Sequence, residues 1–233
     1  MRPPFLSSAT FLLALSMAAG AVAQGTPLAP ANGQWRPGVN YTVISPAQPT
    51  NAPAGKVQVI EFFYLACPFC HALEPHMLAW RKTKPAYVQF VRVPVMWAPL
   101  QVADARLYYT LEALGRDDLV ETAFNTIHRL EVAAGGNENA LIGTSRAQTL
   151  ALQEAFAERH GVGAAAFANA YDSFYVNTEL QQATQLGQTY QVLNTPTIIV
   201  DGRYKTGPSQ TGGDQGTIAL INFLTKWDHE HGK

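Results

Sequence analysis

The sequence is short of charge, of cysteine and of long apolar runs. Lysine and arginine number 16 against 17 acidic residues, a formal net charge of −1 over 233 residues. That balance, with no basic stripe, argues against a nucleic-acid partner. No apolar run approaches the roughly 20 residues that span a bilayer, since the one candidate, Phe11 to Ala19, is brief and interrupted by Ser16. It reads instead as the core of an export leader over residues 1–23, with Arg2 before it and an Ala21-Val22-Ala23 cleavage site after it. No cysteine follows that site, which argues against a lipid anchor there. The mature chain, starting at Gln24, is long enough for one sizeable core or for one domain with an insertion. The only two cysteines are Cys67 and Cys70. A disulfide closing so small a loop adds little stability, so a catalytic pair is the better reading in an exported chain.

What the sequence does contain is a strand-like run leading into those cysteines. Val57 to Leu65 carries β-branched and aromatic residues on both parities, as a central strand covered on both faces would. Pro68 follows where a helix can begin, and Cys70 comes one turn later. A thiol at a helix N-terminus meets unpaired N–H groups and the positive end of the dipole, both of which favour thiolate. Glu61 breaks the apolar run on the parity of Val57, Val59, Phe63 and Leu65. Either that face is partly open to water and Glu61 is solvated, or Glu61 is a buried carboxylate of raised pKa, close enough to the cysteines to exchange a proton.

Around this centre the chain falls into a simple order. Residues 24–39 are rich in proline and glycine and suggest a loosely ordered segment. Tyr41 to Ile44 is a short strand candidate, and Ser45 to Gly55 a proline-rich loop. A helix is expected after Cys70 to about Lys82, with Leu73, Met77, Leu78 and Trp80 as its apolar surface and a kink at Pro75. Val88 to Val95 returns as a strand, and Pro94 favours an end or edge position. From Pro99 to about Tyr190 the pattern becomes helical, with about five helices. Three apolar stripes mark packing faces: Ala103, Leu107, Leu111 and Leu114; Leu119, Ala123, Ile127 and Leu130; Phe167, Tyr171 and Phe174. Thr197 to Val200 and Arg203 to Thr206 read as a hairpin about an Asp201-Gly202 type I′ turn. A link from Gly207 to Gly213 precedes a final helix capped by Asp214, with Ile218, Ile221, Leu224 and Trp227 on its buried face. This order matches a mixed α/β sheet with helices on both faces, interrupted by an insertion.

Four chemistries compete for the cysteine pair. Structural zinc needs four ligands, and beyond the cysteines there are only scattered histidines, with His71 and His76 on different helix faces. Cys67-Pro68-Phe69-Cys70-His71 fits the pattern for covalent haem, but the strand running straight into it and Pro75 after it suit a thioredoxin-like sheet better. An inert disulfide is the third reading, and thiol–disulfide exchange the fourth.

For the fourth, Glu61-Phe-Phe-Tyr-Leu-Ala-Cys67-Pro68-Phe69-Cys70, the Thr195-Pro196 pair before the returning strand, and the helical block between them resemble the periplasmic DsbA family. The resemblance runs from about Tyr41 onward. It implies a thioredoxin-like part over 40–97 and 189–233 and a helical insertion over 98–188. It implies that Cys67 is the exposed nucleophile, Cys70 its more buried partner, Pro196 a cis-proline, Thr195 a substrate-facing residue and Glu61 the buried acid. It further implies a periplasmic monomer without cofactor or metal. Such a protein would donate its disulfide to reduced, unfolded exported proteins and be reoxidised by a quinone-linked membrane protein of the DsbB type. A reductase or isomerase is the alternative, although the residues between Gln24 and Tyr41 are too few for an isomerase's dimerisation domain; a non-catalytic binding module is a further one. Phe69 departs from the commonest motif, which has histidine there. An imidazolium would help hold the Cys67 thiolate, so a weaker oxidant than the Phe69→His variant is expected.

Overall fold

The computed structural model describes residues 34–133 and 140–232, without the side chains of 130–133. The expected leader, most of the 24–39 segment and the side chain of Leu130 lie outside the described residues.

A seven-residue strand with every side chain buried forms the middle of the molecule: β2, Val57–Phe63. Its neighbours are β3 (Val88–Pro94), parallel, and β4 (Thr197–Val200), antiparallel. β4 pairs antiparallel with β5 (Tyr204–Thr206), and β5 with β1 (Thr42–Val43), giving a mixed five-stranded sheet in the order β1-β5-β4-β2-β3. β3 is therefore an edge, with Pro94 at its end, where a missing backbone donor does no harm.

Strand alternation divides the core into two layers. Val57 and Val59 join Ile198, Val200 and Tyr204 beneath α1 (Pro68–Thr83) and the last helix; Ile60, Phe62 and Ile199 face the helical block. That block is α2 (Pro99–Ala113), α3 (Leu119–Ala133), α4 (Arg146–Arg159), α5 (Ala164–Tyr171) and α6 (Phe174–Thr189), all between β3 and β4. Leu107, Leu111, Ala123, Ile127, Phe167 and Tyr171 are buried, as their stripes predict.

Several boundaries differ from the sequence reading. Phe174 is 87% exposed, because α5 ends at Tyr171 and α6 starts afresh at Phe174, so the third stripe does not continue across the break. Arg203 belongs to the turn rather than to β5: its N–H donates to Val200 O, while Asp201 and Gly202 both hold positive φ (49° and 65°). A Cβ at Gly202 would also collide with the Gln48 carbonyl. The Gly207–Gly213 link contains a short helix, α7 (Pro208–Thr211). Asp214 does not cap α8 (Asp214–His231), since Gly213 is the N-cap and Asp214 is already helical, where its charge still suits the dipole. Trp35 is buried against the α1 side of the core, whereas Arg36 to Val39 after it are exposed.

Candidate active site

β2 ends at Phe63, and the chain turns once before α1, with Cys67 N–H donating to Tyr64 O at 3.1 Å. Cys67 is the N-cap of α1, in extended conformation (φ −78°, ψ 114°), and Pro68 takes the first helical position, where no donor is needed. The Cys67 sulfur accepts the Cys70 N–H at 3.2 Å and the Thr195 hydroxyl at 3.4 Å. Both cysteines are free thiols.

These contacts separate the two sulfurs chemically. The interaction with Cys70 is the largest influence on Cys67; together with the Thr195 hydroxyl and backbone N–H groups it outweighs burial and brings the Cys67 pKa down to about 7. Burial pushes the Cys70 thiol well up, and Cys67 and the Glu61 charge push it further. One sulfur ionises near neutrality while its partner keeps a proton, which suits a nucleophile and leaving group beside a protonated second thiol. One expectation is corrected: Cys67 is not exposed, at 2%, because the Thr195 loop lies over its sulfur. The motif's exposed residues are Pro68 and Phe69, the latter at 70%.

Glu61 lies 1% exposed on the α1 side of β2, which rules out the solvated reading. The sequence reading did not anticipate its partners. Arg92, directly opposite in the β2–β3 register, donates through Nε to Glu61 Oε2 at 2.9 Å and through Nη2 to Glu74 Oε2 on α1. Desolvation alone would lower the Arg92 pKa, but the two carboxylates outweigh it and raise it. Glu74 is brought up to about 7, chiefly by burial, with Arg92 opposing and the Glu61 charge adding to it. Arg92 had a legible signal, a charge inside an otherwise apolar strand, the same anomaly that marks Glu61.

The Thr195-Pro196 peptide bond is cis, as the resemblance implied, and Thr197 Oγ1 steadies the preceding turn by donating to Asn194 O at 2.8 Å. Beyond Pro196 lies a groove of about 360 Å³, lined by Leu193, Asn194, Pro196, Lys205, Gly207 and Gln210. Leu193 at its rim is 88% exposed. Cys67, Cys70, Thr195 and Pro196 are thus brought together, Pro68 and Phe69 lie in the same helix start, and Glu61 is buried where its charge acts on Cys70.

The helical block also reaches the site. Asp104 Oδ2 accepts the Ala66 N–H at 3.1 Å, and His128 Nε2 bonds Leu65 O at 2.9 Å. Neither residue stood out in the sequence, because each lies on a helix that gives no sign of what it faces. His71, next to Cys70, stacks on His128 with ring centroids 4.3 Å apart. Among the described residues no three His, Cys, Asp or Glu side chains cluster as metal ligands do.

Comparison with known proteins follows the same lines. Residues 58–215 match the model of the DSBA-like thioredoxin domain family. The thiol:disulfide interchange protein DsbA of Burkholderia cepacia is 38% identical over 218 residues, covering 93% of this chain and 94% of that protein. The protein of the same name from Bordetella parapertussis is 37% identical over 224 residues, covering 94% and 97%. Among solved structures, Pseudomonas aeruginosa DsbA superposes with a TM-score of 0.75 at 28% identity, covering 85% of this chain and 97% of that one.

Proposed function

The chain belongs to the DSBA-like thioredoxin family and is a thiol:disulfide oxidoreductase, and from that premise we propose that Cys67–Cys70 acts as a disulfide donor to reduced proteins outside the cytoplasm. A substrate thiolate attacks Cys67 Sγ of the oxidised pair; the Cys67–Cys70 bond breaks, a mixed disulfide forms, and the sulfur released at Cys70 takes up a proton. A second thiolate of the substrate then attacks the substrate sulfur of that mixed disulfide. Cys67 leaves as thiolate, the substrate gains a disulfide, and two electrons rest on the reduced enzyme.

The observation that carries this reading is the pair of donors on Cys67, the Cys70 N–H and the Thr195 hydroxyl, which make it a good leaving group at neutral pH. A thiolate stabilised in the reduced protein favours reduction of the enzyme and hence oxidation of its substrate. In the same proposal Thr195 and Pro196 receive an extended substrate segment, Pro68 and Phe69 shape the approach to Cys67, and Glu61 serves the Cys70 proton. Helices over 98–188 form an insertion between the thioredoxin-like parts at 40–97 and 189–233. A periplasmic location follows from the expected leader, and reoxidation of the dithiol calls for a quinone-linked membrane protein of the DsbB type.

Equilibration in glutathione buffers, followed by oxidation of a reduced unfolded protein, tests the direction. The expected result is an oxidising couple and stoichiometric disulfide transfer that Cys67→Ala abolishes. A strongly reducing couple without oxidase activity would falsify the donor direction and favour the reductase alternative.

A further inference from the structure

Two side chains of the helical block grip the backbone immediately ahead of Cys67. Asp104, wholly buried on α2, accepts the Ala66 N–H. His128, buried on α3, meets the Leu65 carbonyl; because a carbonyl only accepts, Nε2 is a protonated nitrogen of that ring. The ring lies parallel to His71, with planes 5° apart. His71 in turn pairs through Nε2 with Asn125 Oδ1 at 2.9 Å, one turn before His128 on α3. The block therefore holds the active-site segment on both sides, before Cys67 and after Cys70.

A buried carboxylate is costly to desolvate, and an apolar side chain would fill the place of Asp104 more cheaply. What an apolar residue cannot do is accept the Ala66 N–H. The bonds that this backbone serves have little slack: 3.2 Å from the Cys70 N–H to Cys67 Sγ and 3.4 Å from the Thr195 hydroxyl. Their strength depends on where the N-cap residue points its sulfur, and that is set by the peptide planes of residues 64–66.

We propose that Asp104 and His128 are positioning residues for disulfide exchange, clamping both polar ends of the single Leu65–Ala66 peptide group ahead of Cys67 so that its sulfur stays against the Cys70 N–H and the Thr195 hydroxyl. The proposal rests on the functional reading only in taking Cys67 as the attacked sulfur. It predicts a sign that simple electrostatics does not. Deleting a negative charge near a thiolate lowers the thiolate's pKa, whereas loosening the clamp raises it.

The test is thiolate absorbance against pH for the reduced mature chain, with the dithiol–glutathione equilibrium and thermal unfolding measured on the same samples. Asp104→Ala and His128→Ala are expected to raise the Cys67 pKa above the wild-type value. They should also shift the glutathione equilibrium about two- to tenfold towards the disulfide, the range of one net hydrogen bond. Asp104→Asn keeps an acceptor and His128→Gln keeps a donor, so neither should raise the Cys67 pKa; loss of the carboxylate charge can only lower it in Asp104→Asn. Alanine variants that lose thermal stability but keep the wild-type titration and equilibrium overturn the proposal, as does a lowered Cys67 pKa in Asp104→Ala. If an alanine variant does not fold, the Asn and Gln variants decide alone: a Cys67 pKa at or below the wild-type value supports the clamp and a raised one sinks it. None of these readouts uses a protein substrate. A failure here leaves the donor direction standing, and a reducing wild-type couple would leave the clamp standing.

Discussion

Arg92 on β3 lies between Glu61 and Glu74, and Arg203 at the β4–β5 turn bonds Asp228 of α8 at 2.9 Å. The two places are built alike. Each buries an arginine against a carboxylate, and in each a carboxylate is brought up to about 7, mainly by burial: Glu74 in the first and Asp228 in the second. Each also leaves a buried carboxylate oxygen without a hydrogen bond among the described residues, Glu74 Oε1 and Asp228 Oδ2. They differ in what lies next to them. The Glu61 charge raises the Cys70 thiol, whereas Asp228 interacts with Arg203, Asp201, Tyr204 and His231. A perturbed carboxylate is therefore not in itself a mark of catalysis in this chain; its neighbour decides.

The largest difference should come from removing the arginines. Arg92→Met strands two buried carboxylates and should cost about 3–5 kcal/mol in urea unfolding at pH 8, part of it regained at pH 5 as Glu74 takes a proton. Arg203→Met should cost a similar amount, yet only the Arg92 variant should move the dithiol–glutathione equilibrium. Equal redox shifts in both would erase the distinction.

Acid should treat the two places alike. Glu74 and Asp228 have raised pKa values in the folded chain, so the native state binds more protons than the unfolded one between roughly pH 4 and 7. Stability should therefore rise as pH falls from 8 to 5, by about 1–2 kcal/mol per group. Glu74→Gln and Asp228→Asn should each remove part of that slope, as read from urea midpoints across the range. A slope of opposite sign would mean that the arginines, not burial, dominate.

Smaller effects should appear at sulfur. Glu61→Gln removes a charge that raises Cys70, so Cys70 should ionise at lower pH and the dithiol should be favoured a few-fold, about 1 kcal/mol or less. Asp228→Asn should leave that equilibrium unchanged. Least of all should be Phe69→His, which places a cation at the 70% exposed position. It should lower the Cys67 pKa by about half a unit at low salt, and added salt should screen much of the shift. Titration of both proteins showing no change, or a rise, would remove Phe69 as a tuning position.

Much of this was legible in the sequence because periodicity and backbone chemistry are local. The all-buried β2, the Cys67 N-cap with Pro68, the edge strand ending in Pro94 and the helices between β3 and β4 follow from spacing alone. Glu61 announced itself as a charge in an apolar run. Its partners did not, since Arg92 becomes its neighbour only through the parallel register and Glu74 only through the packing of α1 on the sheet. Asp104 and His128 were invisible for the same reason: a helix pattern tells which face is buried but not which distant carbonyl it meets. Phe174 and Asp214 were misplaced by one helix boundary each, where a break or an N-cap one residue away reverses the role of a side chain.

The bond between the Thr195 hydroxyl and the Cys67 sulfur joins residues 128 positions apart. Apart from its own helix, the side chains that touch Cys67 or its approach come later in the chain: Asp104, His128 and Thr195. A polypeptide delivered N-terminus first thus presents Cys67 and Cys70 as ordinary thiols, with a pKa near 8.5, until β4 has arrived to complete the site. During that interval the growing chain is a reduced, unfolded dithiol, chemically of the kind that the finished copies would oxidise in the proposed donor reaction.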